Sequence, residues 1–265
     1  SGWLRKIGSP VMLIRAMLQV YAAISRRKPV AVLGMGGFVA GPGGLVAWLM
    51  RLPLLIHEAN ATAGITNRRL APIARRVMCG FPDTPGLGQR AEWTGNPVRE
   101  AILSLPIPEE RYGNRQDRVL HVLVVGGSQG ARVLNQVVPE AMAELTPDQR
   151  PKLLHQCGRD RAQELFARYR ELGIEADVRE FIEDMAAAYY EADLVVCRAG
   201  AMTVAEICAV GLAAVLVPYP YAAGNHQKIN AQYLVSQGAA IALEESEFSA
   251  NLLALTVRKF QDDRS

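Results

Sequence analysis

The stretch that decides the fold is residues 119–132, V-L-H-V-L-V-V-G-G-S-Q-G-A-R. Its first seven residues are valines, leucines and one histidine, which is typical of a strand buried inside a parallel sheet. The glycines that follow predict a tight turn, and the apolar run beyond them predicts a helix. A strand, a glycine turn and a helix in direct succession indicate an α/β unit with right-handed crossovers.

The same alternation continues on both sides of this stretch. Toward the N-terminus it predicts strands near residues 30–33, 54–57, 76–80 and 91–94, and helices near 45–50, 66–74 and 98–103. Toward the C-terminus it predicts a first helix that ends at 145, strands near 152–156, 176–181, 194–197, 214–218 and 239–243, and helices near 160–172, 185–192, 203–210 and 226–237. The sequence therefore predicts an α/β fold with two doubly wound parallel-sheet domains. We place them at 1–103 and 119–265, joined by a proline-containing linker at 104–118.

Composition places the chain among ordinary globular proteins. It has 265 residues, half of them hydrophobic, and a formal net charge of +3, which leaves room for two modest domains. The mild charge neither demands nor excludes nucleic acid, but no compact Lys/Arg block with interleaved aromatic residues supports that partner. No stretch is long and apolar enough to span a bilayer, and no signal peptide opens the chain. We therefore expect no nucleic-acid partner.

The four cysteines are scattered without the spacing of a metal site; they are Cys79, Cys157, Cys197 and Cys208. Each lies among apolar neighbours, and this usage favours a reducing cytoplasm. The sequence therefore predicts no metal site.

The segment 10–25 is apolar almost all round and is accompanied by basic residues. These are Arg5, Lys6 and Arg15 toward its N-terminal side, and Arg26, Arg27 and Lys28 after it. One interpretation is a helix that lies on an anionic membrane surface, with Leu13, Ile14, Met17 and Trp48 as contact residues. The other is a buried helix whose charged ends stay in solvent. Composition leaves both interpretations open.

A second glycine bend lies within residues 197–208, C-R-A-G-A-M-T-V-A-E-I-C. An apolar strand ends here in small residues, and the next helix is predicted to begin at about Met202 or Thr203. The bend aims backbone N–H groups and the positive end of a helix dipole outward, which suits a pyrophosphate. Thr203 and Glu206 also satisfy the capping-box pattern, in which each side chain covers a backbone N–H. The two interpretations can coexist.

Uncharged hydrogen-bonding side chains follow in N-H-Q-x-x-N-A; they are Asn225, His226, Gln227 and Asn230. Groups of this kind can read sugar hydroxyls. Together with the bend before them, they point to a nucleotide sugar as the ligand.

The bend at 126–132, G-G-S-Q-G-A-R, carries a weaker signal. It lacks the spacing of the dinucleotide fingerprint and the G-K-[ST] of a P-loop. It is still a glycine turn that a phosphate can approach closely, with the Ser128 hydroxyl beside it and the Arg132 cation one helical turn on. Ligands of doubly wound sheets bind at the carboxyl ends of the strands, and both Ser128 and Gly200 fall there.

Seven segments occur in one order between residues 32 and 231. They are V-L-G-M-G-G-F-V-A-G-P-G-G, L-I-H-E-A-N-A-x-A-G-x-T-N, G-N-P-V-R, V-V-G-G-S-Q-G-A-R-x-L-N, F-I-E-D-M-A-A-A-Y, C-R-A-G-A-M-T-V-A-E and N-H-Q-x-x-N-A. As a set they resemble the MurG family, the lipid-linked UDP-N-acetylglucosamine transferases of bacterial peptidoglycan synthesis. The resemblance implies the GT-B fold of two facing Rossmann-like domains, with most donor contacts from the C-terminal one.

The resemblance also implies the reaction and its partners. UDP-N-acetylglucosamine (UDP-GlcNAc) gives its sugar, with inversion, to the 4-hydroxyl of the muramic acid in undecaprenyl-pyrophosphoryl-MurNAc-pentapeptide (lipid I), which forms lipid II and UDP. No metal or other cofactor is required in the family, so helix dipoles and backbone donors would stabilise the departing UDP. Because lipid I stays in the bilayer, we expect a peripheral protein on the cytoplasmic face of the bacterial inner membrane.

The family's substrate-binding residues carry over to Asn60, Arg99, Ser128, Ile182, Ala201, Met202, Thr203, Val204, Ala205, Glu206 and Gln227. The resemblance assigns the pyrophosphate to Ser128 and the N–H groups of 201–203, uracil to the Ile182 main chain, the ribose diol to Glu206 and the GlcNAc hydroxyls to Gln227. Asn60 and Arg99, from the N-terminal half, would close over the donor. From the residues alone, core packing explains Ile182, an exposed helix N-terminus explains Arg99, and the pair His57 and Glu58 could hold a loop.

The sequence also departs from the family pattern. Ala59 replaces a common Gln, Ala199 replaces a frequent Ser, and the G-G-T-G-G-H loop of the family's first strand is not in the sequence. That loop would carry a histidine proposed as the general base, so no catalytic residue is assigned. We therefore expect a truncated N-terminal domain, a C-terminal tail that stops early, and a 265-residue piece that is inactive or severely impaired as a transferase.

Two other classes of function stay open. One is a donor-binding module that works with a separate chain, as in split eukaryotic UDP-GlcNAc transferases. The other is a UDP-GlcNAc 2-epimerase, which shares the fold but needs acidic residues at the sugar. The continuous series of motifs argues against the first, and the motifs of the second are not seen.

Overall fold

The computed structural model describes residues 2–113, 119–127 and 130–264, without the side chains of residues 2–10, 223, 263 and 264. The chain divides into two compact units, Ser1–Asn96 and Pro97–Ser265. This division falls before the boundary that the sequence predicts at residue 103. Residues 97–113 therefore belong to the second unit.

The first unit is built on a four-stranded parallel sheet whose strands follow one another in chain order. Its strands are β1 (Val32–Gly34), β2 (Leu54–Glu58), β3 (Arg76–Cys79) and β4 (Ala91–Trp93). Its helices are α1 (Gly2–Arg27), α2 (Gly37–Leu49) and α3 (Ile65–Leu70), with a 3-10 turn at Ala71–Ile73. The predicted strands and helices are present, although α2 is longer than predicted.

Helix α2 begins well before the predicted residue 45 because its glycines serve its packing. An added Cβ on Gly44 would lie 2.7 Å from Leu70 Cδ1 and 3.3 Å from Leu54 Cδ2. A side chain at this position would force Leu70 to shift, so glycine favours the close approach of α2 to β2 and α3. Pro42 lies within α2, and together these helix-disfavouring residues hid the first turns from the sequence pattern.

Helix α1 packs against α2 through a small cluster of Ile24, Val46 and Ala47, with Met17 half-buried against it. Most other described apolar side chains of α1 are exposed, including Met12 at 73% and Leu18 at 63%. The interpretation of α1 as a buried helix is therefore wrong for residues 11–27. Met17 faces the cluster, so its prediction as a surface contact is wrong as well.

The second unit contains a six-stranded parallel sheet. Its strands are β5 (His121–Val125), β6 (Lys152–Gln156), β7 (Asp177–Arg179), β8 (Leu194–Cys197), β9 (Ala213–Leu216) and β10 (Ala240–Ala242). Its helices are α4 (Glu100–Leu103), α5 (Pro108–Gly113), α6 (Arg132–Ala143), α7 (Ala162–Glu171), α8 (Met185–Glu191), α9 (Ala201–Val210), α10 (His226–Val235) and α11 (Ala250–Arg264). Two 3-10 turns lie at Pro147–Gln149 and Ala223–Asn225.

The strand order of the second unit is β10-β9-β8-β5-β6-β7. The chain starts at the central β5, moves outward to β7, and then returns to build the other half from β8. This is a doubly wound sheet, as predicted, and its topological switch point lies between β5 and β8. Ligands of such sheets bind at that point, beyond the carboxyl ends of the strands.

Two helices of the second unit are absent from the sequence prediction. Helix α11 packs on α6 and contributes Leu253 and Val257 to the main core. Helix α5 lies inside the predicted linker 104–118, and its Arg111 is only 2% exposed. Residues 104–113 therefore pack as part of the second unit, while residues 114–118 lie outside the described chain.

Candidate functional site

Two glycine bends lie side by side at the switch point of the second unit. Val125, the last residue of β5, pairs in register with Cys197, the last residue of β8. Gly126 and Gly127 follow the first strand, and Gly200 follows the second within three residues. The two bends that the sequence singles out are therefore brought together by adjacent parallel strands.

Two glycines of the first bend, Gly126 and Gly130, leave no room for a side chain. A Cβ on Gly126 would lie 2.5 Å from the Ala131 nitrogen, and one on Gly130 would collide with the Cys157 carbonyl oxygen. Gly130 also has a φ of +68°, and its N–H donates to the Gly127 carbonyl at 2.9 Å. Neither Gly126 nor Gly130 carries a side chain that would cover the backbone, and a phosphate can approach it closely there. Ser128, predicted for the pyrophosphate, lies outside the described residues.

A buried network supports this bend from below. The Asn135 amide donates to the Cys157 carbonyl at 3.0 Å, and the Asn135 Oδ1 lies 3.1 Å from His155 Nε2. His155 Nδ1 lies 2.8 Å from the Tyr169 hydroxyl. The Asn135 geometry assigns the proton to His155 Nε2, so that Nδ1 accepts from Tyr169. Burial lowers the pKa of His155 to about 3, and the ring is therefore neutral at physiological pH.

The second bend leads into helix α9 without a side-chain cap. Gly200 is the N-cap residue, and no side chain bonds to the helix N-terminus. The first N–H with a helical partner belongs to Val204, which donates to the Gly200 carbonyl at 2.9 Å. Among the described residues, the N–H groups of Ala201, Met202 and Thr203 have no partner. They can donate to an anion.

The capping-box prediction at this helix is wrong. Helix α9 begins at Ala201, earlier than predicted, so Thr203 already lies within its first turn. The Glu206 carboxylate does not reach back to the N-terminus but binds two other side chains. Because no side chain covers them, the N-terminal amides of α9 stay open.

A buried asparagine and a partly buried arginine hold the second bend in place. Asn230, fully buried, donates from Nδ2 to the Ala199 carbonyl at 3.2 Å. Arg198 donates to the Val217 carbonyl at 3.1 Å and forms an ion pair with Glu245 at 2.6 Å. The bend is therefore fixed to α10 and to the residue that follows β9 before any ligand arrives.

Glu206 lies on α9 and accepts two hydrogen bonds. Its Oε1 accepts from Arg99 Nη2 at 3.0 Å, and its Oε2 accepts from the Tyr189 hydroxyl at 3.0 Å. Its side chain is 14% exposed. Arg99 precedes α4 and belongs to the second unit, whereas the sequence assigned it to the N-terminal half. The structure thus brings Arg99 and Glu206 together.

Ile182 and Gln227 each offer unpaired polar atoms. The Ile182 side chain is buried, but neither its N–H nor its carbonyl has a partner in the part of the chain that the structure describes. The Gln227 Oε1 accepts from the Tyr219 N–H at 2.9 Å, which leaves its Nε2 without a described partner. The first residue can therefore bond a ligand through its main chain and the second through its amide.

Asn60 lies in the first unit beside a buried carboxylate. Glu58 is 4% exposed and accepts from the Asn60 N–H at 3.1 Å, the Asn60 amide at 3.0 Å and the Gly64 N–H at 3.0 Å. The Asn67 amide donates to the same carboxylate at 2.9 Å. Glu58 therefore holds the loop that carries Asn60, as one interpretation of the sequence suggested.

The structure also locates the four cysteines and the side chains that could bind a metal. All four cysteines are free, and burial raises the pKa of the Cys197 thiol to about 12. Within the described residues, no three His, Cys, Asp or Glu side chains are grouped as metal ligands. No helix in those ranges is long and apolar enough to cross a membrane.

The sequence missed four buried or half-buried side chains that support the site. Their hydrogen bonds orient the backbone and side chains of the site, and they belong to Tyr189, Arg111, His155 and Asn135. The only available signal was a polar residue inside an apolar pattern, as at His155 in β6. That signal does not name the partner.

The strand order, the paired glycine bends and the uncapped helix N-terminus define a doubly wound nucleotide-binding protein. Residues 2–79 match the Glycosyltransferase family 28 N-terminal domain, and residues 121–265 match the Glycosyltransferase family 28 C-terminal domain. The chain belongs to the MurG family of these glycosyltransferases.

Individual relatives agree with this membership. A protein of Nitrosococcus oceani, a UDP-N-acetylglucosamine--N-acetylmuramyl-(pentapeptide) pyrophosphoryl-undecaprenol N-acetylglucosamine transferase, is 52% identical over 263 residues, which cover 99% of this chain and 72% of that protein. The crystal structure of Acinetobacter baumannii MurG matches with a TM-score of 0.79 and 38% identity, over 94% of this chain and 70% of that one. A UDP-GlcNAc 2-epimerase from Neisseria meningitidis is similar in fold but not in sequence, with a TM-score of 0.63 and 11% identity over 95% of this chain and 73% of that one.

Proposed function

We propose that this chain is an inverting N-acetylglucosaminyltransferase of peptidoglycan synthesis. It takes GlcNAc from UDP-GlcNAc and transfers it to the 4-hydroxyl of the muramic acid in lipid I. The bond from the sugar C1 to the β-phosphate oxygen breaks, a bond from C1 to the acceptor oxygen forms, and UDP and lipid II are released. The names of the curated relatives support this donor, this acceptor and this reaction.

The observation that carries the proposal is the pairing of the two glycine bends at the switch point. The open N–H groups of Ala201, Met202 and Thr203 bind the diphosphate, and the positive end of the α9 dipole favours its charge. As the bond between C1 and the β-phosphate oxygen breaks, these donors also stabilise the negative charge that develops on the departing UDP. In enzymes that use such donors, the loss of one costs on the order of a hundredfold in rate.

Three further groups read the rest of the donor. The free N–H and carbonyl of Ile182 pair with the uracil O4 and N3–H. The Glu206 carboxylate accepts from the ribose diol, as acidic residues of doubly wound sheets do. The free Nε2 of Gln227 donates to the GlcNAc hydroxyls.

The remaining assignments have less support in the structure. The Val204 N–H already bonds within α9 and its side chain is buried, and Ala205 lies inside the same helix. Their donor contacts stay predictions, as do those of Ser128 and Asn60. The independence from metal also stays a prediction, and no proton acceptor is assigned.

Calorimetric titration with UDP and CDP tests the proposal. Uracil presents O4 as an acceptor beside N3–H as a donor, whereas cytosine presents a donor and an acceptor in the reverse order. We expect UDP to bind at least about tenfold more tightly than CDP, since one mismatched polar contact costs about 1–3 kcal/mol. UDP that gives no heat of binding, or CDP that binds equally well, contradicts the proposed donor site.

We also propose that the protein docks as a peripheral protein on the cytoplasmic face of the inner membrane, where lipid I lies. The docking surface consists of the exposed α1 side chains Val11, Met12, Leu13, Ile14 and Leu18. Arg15, Arg26, Arg27 and Lys28 are exposed on the same helix or directly after it. Apolar side chains beside basic ones suit an anionic bilayer surface. Trp48, 48% exposed on α2, stays a candidate contact.

A further inference from the structure

Tyr189 is buried directly beneath the proposed ribose site. It is 0% exposed, and its hydroxyl donates to Glu206 Oε2 at 3.0 Å. Burial raises the pKa of Tyr189, and the neighbouring Glu206 carboxylate raises it further. The phenol therefore keeps its proton at every physiological pH and acts only as a donor to Glu206.

The backbone of Tyr189 is fixed as firmly as its ring. Arg111 is 2% exposed and donates from Nη1 to the Tyr189 carbonyl at 3.1 Å and from Nη2 to the Val210 carbonyl at 2.6 Å. Its Nε donates to the Pro106 carbonyl at 3.1 Å. One buried guanidinium thus ties the end of α8, which carries Tyr189, to the end of α9, which carries Glu206.

The other partner of Glu206 is held less firmly. The Arg99 side chain is 56% exposed, and exposed ion pairs are screened by solvent and contribute little. A hydrogen bond from a buried hydroxyl to a carboxylate is stronger, because no water competes for either atom. Tyr189 therefore determines the orientation of the Glu206 carboxylate more than Arg99 does.

A fixed carboxylate plane matters for binding a vicinal diol. The 2′- and 3′-hydroxyls of ribose donate best when each meets one carboxylate oxygen. Each Glu206 oxygen accepts one bond from the protein and keeps acceptor capacity for a second. We propose that Tyr189 is a positioning residue that holds Glu206 to accept from both ribose hydroxyls, and that it thereby sets the preference for ribonucleotides over 2′-deoxyribonucleotides. This inference rests on the proposed donor site.

The test compares the dissociation constants of UDP and 2′-deoxy-UDP by calorimetry. The wild-type chain is expected to prefer UDP. Tyr189→Phe is expected to reduce that preference about tenfold, because the Glu206 carboxylate loses the bond that orients it and with it about one hydrogen bond to the ribose. Its affinity for 2′-deoxy-UDP should change by less than about twofold. Tyr169→Phe is the matched control: Tyr169 is equally buried in the same unit, but its hydroxyl bonds to His155. Because the Tyr169–His155 bond supports the first bend, this variant can lose affinity, but the loss should be equal for the two nucleotides and the wild-type preference should be kept.

Several outcomes overturn the inference. A wild-type chain that binds both nucleotides equally removes the ribose preference, and equal weakening of both by Tyr189→Phe means a purely structural role. If Tyr189→Phe does not fold, Arg99→Gln decides between the two partners of Glu206: a retained preference assigns the orientation of the carboxylate to Tyr189. Loss of the preference in Arg99→Gln would make arginine the orienting residue. If the wild-type chain binds neither nucleotide, the proposed donor site itself is wrong.

Discussion

Val125 and Cys197 are partners in register on two neighbouring parallel strands of the second unit. Each is the last residue of its strand, and each is followed by a bend that contains glycine. The register therefore fixes the separation of the two bends, one with an open glycine backbone and one with the free amides of α9. Substitutions that disturb either bend should weaken nucleotide binding more than similar substitutions elsewhere.

Gly130→Ala should destabilise the second unit and weaken UDP binding. A left-handed φ costs a non-glycine residue about 1–2 kcal/mol, and the collision with the Cys157 carbonyl adds about 1–3 kcal/mol. Gly173→Ala is the matched control, since Gly173 has a φ of +64° but no atom within 4 Å of an added Cβ. Urea unfolding should show the larger loss for Gly130→Ala. Equal losses would mean that the Cys157 carbonyl beside Gly130 does not contribute to the cost of the substitution.

Asn230→Ala should loosen the second bend. It removes a buried donor from the Ala199 carbonyl and should lower the free energy of unfolding by about 1–3 kcal/mol. UDP affinity should fall as well, because the amides of α9 follow this bend. Asn251→Ala is the control, because Asn251 is exposed and bonds only weakly to Glu144, at 3.4 Å. Its effect should stay below about 0.5 kcal/mol. If Asn230→Ala shows the expected loss of stability but an unchanged UDP affinity, the second bend is not part of the UDP site.

His155 should make the second unit sensitive to acid. Its folded pKa of about 3 lies below the ordinary value of 6.5, so between these pH values the unfolded chain binds the proton and the folded chain does not. The contribution of His155 to the free energy of unfolding is constant above about pH 6.5. Below that pH it falls by at most about 1.4 kcal/mol per pH unit.

His155→Gln isolates this contribution because glutamine does not titrate in that range. The variant is expected to be less stable than the wild type at pH 7, and the gap should shrink as the pH falls to 4. Unfolding curves of both proteins at several pH values give the difference directly. A gap that is independent of pH would show that His155 does not titrate between the folded and unfolded states.

Charge reversal at the end of α1 should weaken membrane docking. Each basic residue near an anionic surface contributes about 1 kcal/mol, so Arg26→Glu with Arg27→Glu should reduce partitioning onto anionic liposomes at least about 30-fold. Flotation on neutral liposomes should change little. Arg159→Glu with Arg170→Glu is the matched control, because these exposed arginines lie in the second unit. Equal losses for both pairs would point to net charge rather than to this surface.

The sequence predicted the strands better than the helices. β6 and β8 have the predicted bounds. For β8 the reason is that a strand buried on both faces requires a continuous apolar run, here Leu-Val-Val-Cys with every residue buried. Helix α2 was predicted too short because Gly44 and Pro42 disfavour helices locally, while the contact of Gly44 with Leu70 favours this helix in the fold. Tertiary packing outweighed local propensity there.

The candidate site was predictable in its backbone but not in its buried partners. A glycine bend that follows an apolar strand can be recognised in the sequence, and both bends lie at the predicted strand ends. Arg111 bonds to carbonyls 78 and 99 residues away, and no local pattern predicts such pairs. Glu206 had the spacing of a capping box, yet Arg99 and Tyr189 compete successfully for its carboxylate. A motif therefore located the residue without giving its contacts.

A crystal structure of this chain with UDP tests the central claim most directly. The account predicts diphosphate oxygens within about 3 Å of the N–H groups of Ala201, Met202 and Thr203, with uracil against the Ile182 main chain. A diphosphate bound anywhere else, or one held only by side-chain cations away from both glycine bends, would contradict it.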